Sequence, residues 1–525
     1  MTNRRPIHSA IRNPQSAIRV ACFTPLSPVP SGVSFYSEEL LPVLARALDV
    51  EVFVDGYRPA LARELEAAGV RVRDAREFER ASRRRPYDAT IYQLGNSPAH
   101  AYMYDRALRR PGIVVLHEVV LHHLQLWMAV NRGRRRQYTA ALARLYGPPG
   151  EAVARAVLRG QTPPALFDFP LVEPILEAAR LVIVHNEMGA ERVRQLRPGT
   201  NVRVVPMGMA LPRLPSRDEA RARLGVAPGA FLVVSHGHAT PYKRLDVALR
   251  AFRRLLAWRP DARFLIAGSE APNLGLGRLI DLLGLRGRVG RLGFVPAATV
   301  ADLLAAADCC VNLRHPSAGE TSASLLRIMG AGLPALVSDA GSFRELPDSC
   351  CVKIPVGRLE EPMLAEFLIE LARNAPLRAA LGARARAFVA GEHSPERSAR
   401  GYLDALGALT GRTLTLPEAP PGPAETGGEE AASVVDVQPA GGLQTTPLRD
   451  WGDRGGRPPP TRCSTASPTR WPNCGWSGTR GWSGRSPAIW SRWGWERARA
   501  PSRAGGRRLA GRRVPASWLL AEARA

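Results

Sequence analysis

Ser235-His-Gly-His-Ala-Thr-Pro-Tyr-Lys-Arg-Leu-Asp246 is the stretch that decides the reading of this 525-residue chain. The apolar run 231–235 leads into it as a strand, Gly237 permits a tight turn, and 246–258 repeats apolar residues at helical spacing. Thr240 is placed to cap that helix with Pro241 at its first position, which puts Lys243 in the first turn. The free N–H groups and positive dipole end of a helix make an anion site, and an ammonium there adds charge. Lys243 and Lys353 are the only lysines among 72 basic residues. A chain that uses arginine almost everywhere and keeps lysine at this turn points to more than a solvated surface charge.

The same strand–turn–helix rhythm extends in both directions. Runs at 18–23, 50–54, 89–94, 112–116, 181–184 and 202–205 form one series. Those at 231–235, 263–267, 289–292, 309–313, 335–338 and 352–354 form a second. Many are continuously apolar, as parallel strands buried on both faces are. Helical segments between them, such as 246–258 and 301–307, complete βαβ units. The expected class is α/β, with two Rossmann-like, doubly wound domains. The stretch 209–230 carries Pro, Arg and Gly but no strand, so the domains are expected at 18–212 and 213–412. Ligands of open α/β sheets bind outside the carboxyl ends of the strands, so two facing sheets put the chemistry in the cleft between them.

Outside these domains the pattern stops. Residues 1–17 and 413–525 are expected to be disordered. Ser9-Ala-Ile-Arg-Asn-Pro-Gln15 repeats at once as Ser16-Ala-Ile-Arg19, and 413–448 is rich in Pro, Gly, Glu and Thr. Residues 449–525 hold eight of the ten tryptophans with sixteen Arg and four acids, the composition that a frame shift in a GC-rich gene would yield. That tail supplies about half of the formal charge of +25. The charge therefore does not argue for a nucleic-acid partner, although Arg and Trp in the tail keep nucleic-acid binding as an alternative. The seven cysteines are scattered or adjacent, without C-x-x-C spacing, and the first five read as small buried residues. No apolar run reaches the ~18–20 residues of a membrane span, no secretory signal is read, and a cytoplasmic chain is expected.

A second device follows the run 309–313: Arg314-His-Pro-Ser-Ala-Gly-Glu-Thr-Ser-Ala-Ser-Leu-Leu-Arg-Ile-Met-Gly-Ala-Gly332. Thr321 or Ser322 can cap a helix running to Gly330 or Gly332, small residues let a ligand approach the backbone, and Glu320 is placed to hold sugar hydroxyls or simply to cap. The next turn is Asp339-Ala-Gly-Ser-Phe-Arg-Glu345. In the first series, Phe23-Thr-Pro-Leu-Ser-Pro-Val-Pro-Ser-Gly-Val33 joins a strand to a helix, Gly95-Asn-Ser-Pro-Ala-His100 ends another strand, and Leu116-His-Glu-Val-Val-Leu-His-His123 a third. No G-x-G-x-x-G occurs, which argues against a nicotinamide oxidoreductase.

Residues 231–348 resemble the donor-binding domain of glycosyltransferase family 4, the retaining GT-B enzymes, and the bacterial subgroup with a Gly-Glu-Thr-Ser-x-Ser-Leu-Leu-Arg motif. The likeness extends over 18 to about 410, and it implies a GT-B fold with two domains facing across a cleft. It implies catalytic roles for His117, Lys243 and Glu320. It places Gly32, Gly237, His238, Lys243, Phe294, Gly319, Glu320, Thr321, Ser322, Ser324, Leu325 and Arg327 at the donor, and Asn96, His100 and His122 on the acceptor side. Two departures stand out. His238 occupies the place of a family Arg, and Arg327 that of a second Glu. The expected reaction is hexosyl transfer from a nucleoside-diphosphate sugar to a glycan or lipid-linked acceptor, with a peripheral membrane contact and no cofactor. D-x-D is absent from the sequence, so no metal is expected either. A GT-B domain that binds a sugar nucleotide without catalysis is the second reading, motivated by Arg327.

Overall fold

The computed structural model describes residues 18–29, 31–161, 164–271 and 274–418. Of the segments expected to be disordered, 1–17 and 419–525 lie outside the described residues, whereas in 413–418 Leu414 and Leu416 pack against the core.

The apolar runs become two parallel sheets. The first contains β1 (Arg19–Phe23), β2 (Asp49–Val54), β3 (Arg71–Asp74), β4 (Ala89–Leu94), β5 (Ile113–Leu116), β6 (Leu181–Val184) and β7 (Val202–Val204), in the order β3-β2-β1-β4-β5-β6-β7. The second contains β8 (Leu232–His236), β9 (Arg263–Ala267), β10 (Val289–Gly293), β11 (Cys309–Asn312), β12 (Ala335–Ser338) and β13 (Val352–Ile354), in the order β10-β9-β8-β11-β12-β13. Central strands such as Leu232-Val-Val234 are buried on both faces, each large aliphatic side chain contributing about 1.5–3 kcal/mol. The five described cysteines are buried and free, as expected.

β3 was not expected, because Arg-Val-Arg-Asp shows no apolar run. Its stability comes from its neighbour. Glu51 on β2 pairs in register with Arg71, and its carboxylate accepts Arg71 Nε at 3.0 Å and Arg73 Nε at 2.9 Å. Burial raises that carboxyl, but bonds from Tyr87, Arg19 and Arg71 outweigh it and hold it at about 2.

Strand order reverses between β1 and β4 and again between β8 and β11, so the crevices that open at these switch points lie at 24–29 with 95–97 and at 237–240 with 313–322. The chain crosses between the sheets twice. It leaves the first after Val205 and returns at Pro395–Thr410, a helix whose Tyr402 hydroxyl bonds Tyr36 (3.0 Å) and Gln93 Nε2 (3.1 Å) of the first sheet's layer. The two crossings are tied together: Met209 N–H donates to His393 O at 2.7 Å, and His393 Nδ1 to Met207 O at 3.0 Å. A Cβ on Gly208 would lie 2.9 Å from Pro395 Cα, so only glycine fits between them. The return crossing is a feature that a single boundary near 212 does not contain.

Candidate active site

Lys243 is not on the surface and not in the α-helix that follows it. Pro241–Lys243 forms a short 3-10 turn that ends at Arg244 in the left-handed region (φ 54°), and the helix starts only at Leu245. Thr240 makes no side-chain cap. Arg244 is held in that costly conformation by Glu360, which accepts its Nε at 3.0 Å. The turn folds the lysine back over the end of β8. Its Nζ donates to His236 O at 3.1 Å and lies 2.7 Å from where a Cβ on Gly237 would stand, so a side chain there would strain the backbone (φ 97°) and displace the ammonium. Lys243 is 8% exposed, and no carboxylate pairs with it among the described residues. Burial, then the charge of Arg314, pushes it down to about 7.

Ser324 stands beside Gly237, in the first turn of the helix Ala323–Gly330. Ser322, not Thr321, caps that helix, accepting Leu325 N–H at 3.3 Å. Asn312 Nδ2 donates to Ser324 Oγ at 3.0 Å, and Ser322 and Ser324 hydroxyls lie 3.0 Å apart. Ammonium and helix N-terminus therefore converge on the β8/β11 crevice. His238 is exposed beside it, bonded to Ser269 Oγ at 2.8 Å, and Phe294 is 67% exposed just past β10.

Glu320 is turned into its own loop. It accepts Ala318 N–H at 2.7 Å and Ser317 Oγ at 3.2 Å, and it is paired with Arg314. The guanidinium of Arg314 lies over Tyr242, 5.7 Å from the ring centroid, and its Nε is buried without a partner among the described residues. Opposite them in the first domain is Glu118, which accepts Asn96 N–H at 2.8 Å. Burial and the charge of Glu320 push the Glu118 carboxyl up to about 7. Asn96 is fixed by His123 Nδ1 at 2.9 Å and by Leu124 N–H at 3.0 Å. Phe167 bridges His123 and Tyr242, with ring centroids 6.2 Å from each.

Three expected site histidines sit deeper than expected. His122 spends both ring nitrogens on Phe169 O and Tyr138 Oη, each at 2.7 Å, and pins two helices and a loop. His100 lies under Gly95 with Nδ1 on Gln93 O at 2.9 Å. Burial pushes both to about 4, and neither lines the cleft. His117 follows β5 but is 7% exposed, with Nε2 on Gln93 Oε1 at 2.8 Å. Gly32 opens the helix Gly32–Ala45 with open space around it, beyond the Ser31 cap.

The domains close on each other through this same edge. Val119 N–H donates to Ala318 O at 2.8 Å. Asn186 Nδ2 donates to Gly319 O (3.0 Å) and Thr321 Oγ1 (2.9 Å), and Glu345 accepts the N–H groups of Glu187 (2.9 Å) and Met188 (2.6 Å) at a helix start. A Cβ on Gly319 (φ 80°) would stand 3.1 Å from Val119 Cγ2, so a larger residue would strain the left-handed backbone and press on Val119 across the domains. Leu325 is buried behind the loop. Arg327 points away from the lysine and pairs with Glu39 of the first domain at 3.1 Å.

Glu118, Arg314, Tyr242, Asn186 and Glu345 were not singled out as site residues. Glu118 stands just past a strand run, beside the chosen His117, and Arg314 directly follows the run 309–313; those positions were the available signal. Nothing in the sequence marks Asn186.

Residues 216–388 match the model of the family described as Glycosyl transferases group 1. The fold is that of GT-B glycosyltransferases, and the family match lies in the second domain. Among curated relatives, the D-inositol 3-phosphate glycosyltransferase of Rhodococcus erythropolis is 26% identical over 332 residues, 58% of this chain and 70% of that protein. That of Streptomyces avermitilis is 28% identical over 336 residues, covering 59% and 69%. Among solved structures, HepE of Anabaena in complex with UDP and glucose has a TM-score of 0.54 at 17% identity, covering 74% of this chain and all of that one. Sucrose-phosphate synthase of Thermosynechococcus elongatus also has a TM-score of 0.54, at 16% identity, over 75% of this chain and 99% of that one. These likenesses show the fold. No helix among the described residues is long and apolar enough to cross a membrane.

Proposed function

We propose that this chain is a retaining hexosyltransferase that uses a nucleoside-diphosphate sugar and a hydroxyl of a glycan or lipid-linked acceptor, without a metal. The observation that carries the reading is Lys243: a buried ammonium with no carboxylate partner among the described residues, facing the capped start of the helix Ala323–Gly330 at the switch point of the second sheet. A site that keeps a cation desolvated gains most when a dianion enters, so a diphosphate fits it. HepE binds UDP and glucose, which favours a uridine nucleotide as the first donor to try.

In this reading Lys243 and the N–H groups at Ser322–Ser324 take up the negative charge that grows on the diphosphate as its bond to the anomeric carbon breaks. The acceptor hydroxyl approaches on the same face, its oxygen bonds the anomeric carbon, and its proton leaves with the diphosphate oxygen. Glu118 and Asn96 line the acceptor's side, with Phe167 and Tyr242 as aromatic walls. Glu320 orders the loop through Arg314 and presents the donor sugar with that pair. His238 carries no permanent charge where the family has Arg, which leaves Lys243 the larger share of the leaving group. A lipid-linked acceptor would bring the chain to a membrane surface peripherally.

The test is a thermal-shift and nucleotide-release screen against UDP-, GDP- and ADP-sugars. One nucleotide should raise the melting temperature, because it binds only the folded state, and its sugar form should release diphosphate slowly even without acceptor. Binding without any release, with or without glycan acceptors, would leave a sugar-nucleotide-binding protein in place of a transferase.

A further inference from the structure

Asn186 follows β6 and divides its side-chain amide between the two domains. Its Oδ1 caps the helix Glu187–Leu196 of the first domain, accepting Gly189 N–H at 2.7 Å. Its Nδ2 donates across to the second domain, to Gly319 O at 3.0 Å and Thr321 Oγ1 at 2.9 Å. A backbone N–H only donates and a backbone carbonyl only accepts, so the amide has one orientation. The same helix start takes a second group from the opposite domain. Glu345 accepts Glu187 N–H at 2.9 Å on one oxygen and Met188 N–H at 2.6 Å on the other. The first three N–H groups of this helix are thereby satisfied, two of them by a carboxylate that belongs to the second domain.

In the second domain the partners form one body. A Cβ on Gly341 (φ 60°) would stand 2.5 Å from Ser317 Cβ, and Ser342 Oγ donates to Glu320 O at 2.6 Å, so the turn Gly341–Glu345 lies directly on the loop 317–321. Two of that loop's carbonyls point out of their own domain. Ala318 O takes Val119 N–H at 2.8 Å, and Gly319 O takes Asn186. Thr321 Oγ1 also donates to His185 O at 3.3 Å. Directed polar bonds hold this edge, and such a contact, unlike a large apolar interface, leaves relative domain motion open. A loop whose backbone is held from the opposite domain keeps its shape only while the domains are together. This loop carries Glu320 and leads through Ser322 into the helix that faces Lys243.

We propose that Asn186 and Glu345 are positioning residues: together they latch the loop 317–321 into the shape that presents Glu320 to the donor sugar. The second domain's sugar-facing loop is then set by the first domain, and binding of the nucleotide is separated from use of its sugar. The inference rests on the proposed use of a nucleotide sugar. Both residues act through the loop, so their loss should show in turnover and not in the hold on the diphosphate, whose groups all belong to the second domain.

The experiment uses the full chain with UDP and UDP-glucose. Asn186→Asp keeps the side chain's shape and the cap on Gly189 N–H and removes both donated bonds. Glu345→Gln keeps the shape and removes the charge at the helix start. Neither substitution touches the bond from Val119 N–H to Ala318 O, so hydrogen exchange at the Val119 amide reads whether this edge opens as a unit. In each variant that amide should exchange about tenfold faster than in wild type. UDP affinity by calorimetry should stay within about twofold, while kcat for release of UDP from UDP-glucose should fall about tenfold. A cap that matters only to its own helix would move neither exchange at Val119 nor kcat in Asn186→Asp. Should either variant not fold, Thr321→Val, which removes the hydroxyl that Asn186 meets, takes its place. Wild-type exchange at Val119, or unchanged kcat, in the folded variants overturns the inference while leaving the transferase intact. Failure of the wild type to bind any UDP-, GDP- or ADP-sugar would instead overturn the functional reading, whatever Val119 shows.

Discussion

Replacing Lys243 with methionine should make the protein more stable and unable to respond to nucleotide. Burial and Arg314 lower this ammonium from its usual 10.5 to about 7. At 1.36 kcal/mol per pH unit, holding it charged in the folded protein at pH 6.5 costs on the order of 4 kcal/mol. Methionine keeps the chain's length and apolar stem, and the substitution gives up one bond to His236 O, about 1 kcal/mol. The net gain is then ~2 kcal/mol or more, a rise in melting temperature of roughly 4–8 °C for a domain of this size. The sign with pH is set. The unfolded chain keeps this proton up to 10.5 and the native one only to about 7, so the lysine makes stability rise with pH across that window. Lys243→Met should lack that slope. A diphosphate would pair the ammonium and raise it again, so UDP binding at pH 8 should take up a proton in the wild type, seen as a buffer-dependent calorimetric enthalpy, and none in the variant. The reasoning fails if Lys243→Met is no more stable than wild type at pH 6.5, or if UDP stabilises both proteins equally.

Glu118→Gln should leave UDP affinity within about twofold and remove a limb near pH 7 from the pH profile of transfer. The carboxyl is raised to about 7, so it favours folding below its ordinary value of 4.5 and loses that contribution as pH rises through 7, and stability should fall less over this window in the variant. Arg327→Ala and Glu39→Ala should each cost about 0.5–1 kcal/mol, with a coupling of similar size in the double variant, because the pair is half-buried between domains; full additivity would show that the bond is idle. His122→Ala should destabilise the first domain by about 2–4 kcal/mol, since it leaves buried Tyr138 and Phe169 groups unpaired, while UDP affinity in the folded fraction stays at the wild-type value. Truncation after Ala440 should leave melting temperature, donor binding and turnover unchanged, and lost turnover would make 441–525 a working part.

Local pattern carried most of the fold. Runs such as Leu-Val-Val at 232–234 and Ile-Val-Val-Leu at 113–116 can only be strands buried on both faces, and the turns after them mark sheet edges, because apolar periodicity and glycine placement are properties of short segments. β3 escaped because its reason to be a strand, the Glu51 carboxylate, belongs to another strand. The site divides in the same way. That Lys243 and the helix after Ser322 are candidates for an anion site was legible from residue type and turn chemistry. That the lysine is buried rather than capping a helix depended on one left-handed residue, Arg244, and its tie to Glu360, 116 positions away. His122 and His100 look like cleft residues in sequence and are internal pins, while Glu118 and Arg314 look incidental and face each other across the domains. Which side of a strand end a side chain takes, and what stands opposite, is settled by long-range packing, and no segment contains its own partner.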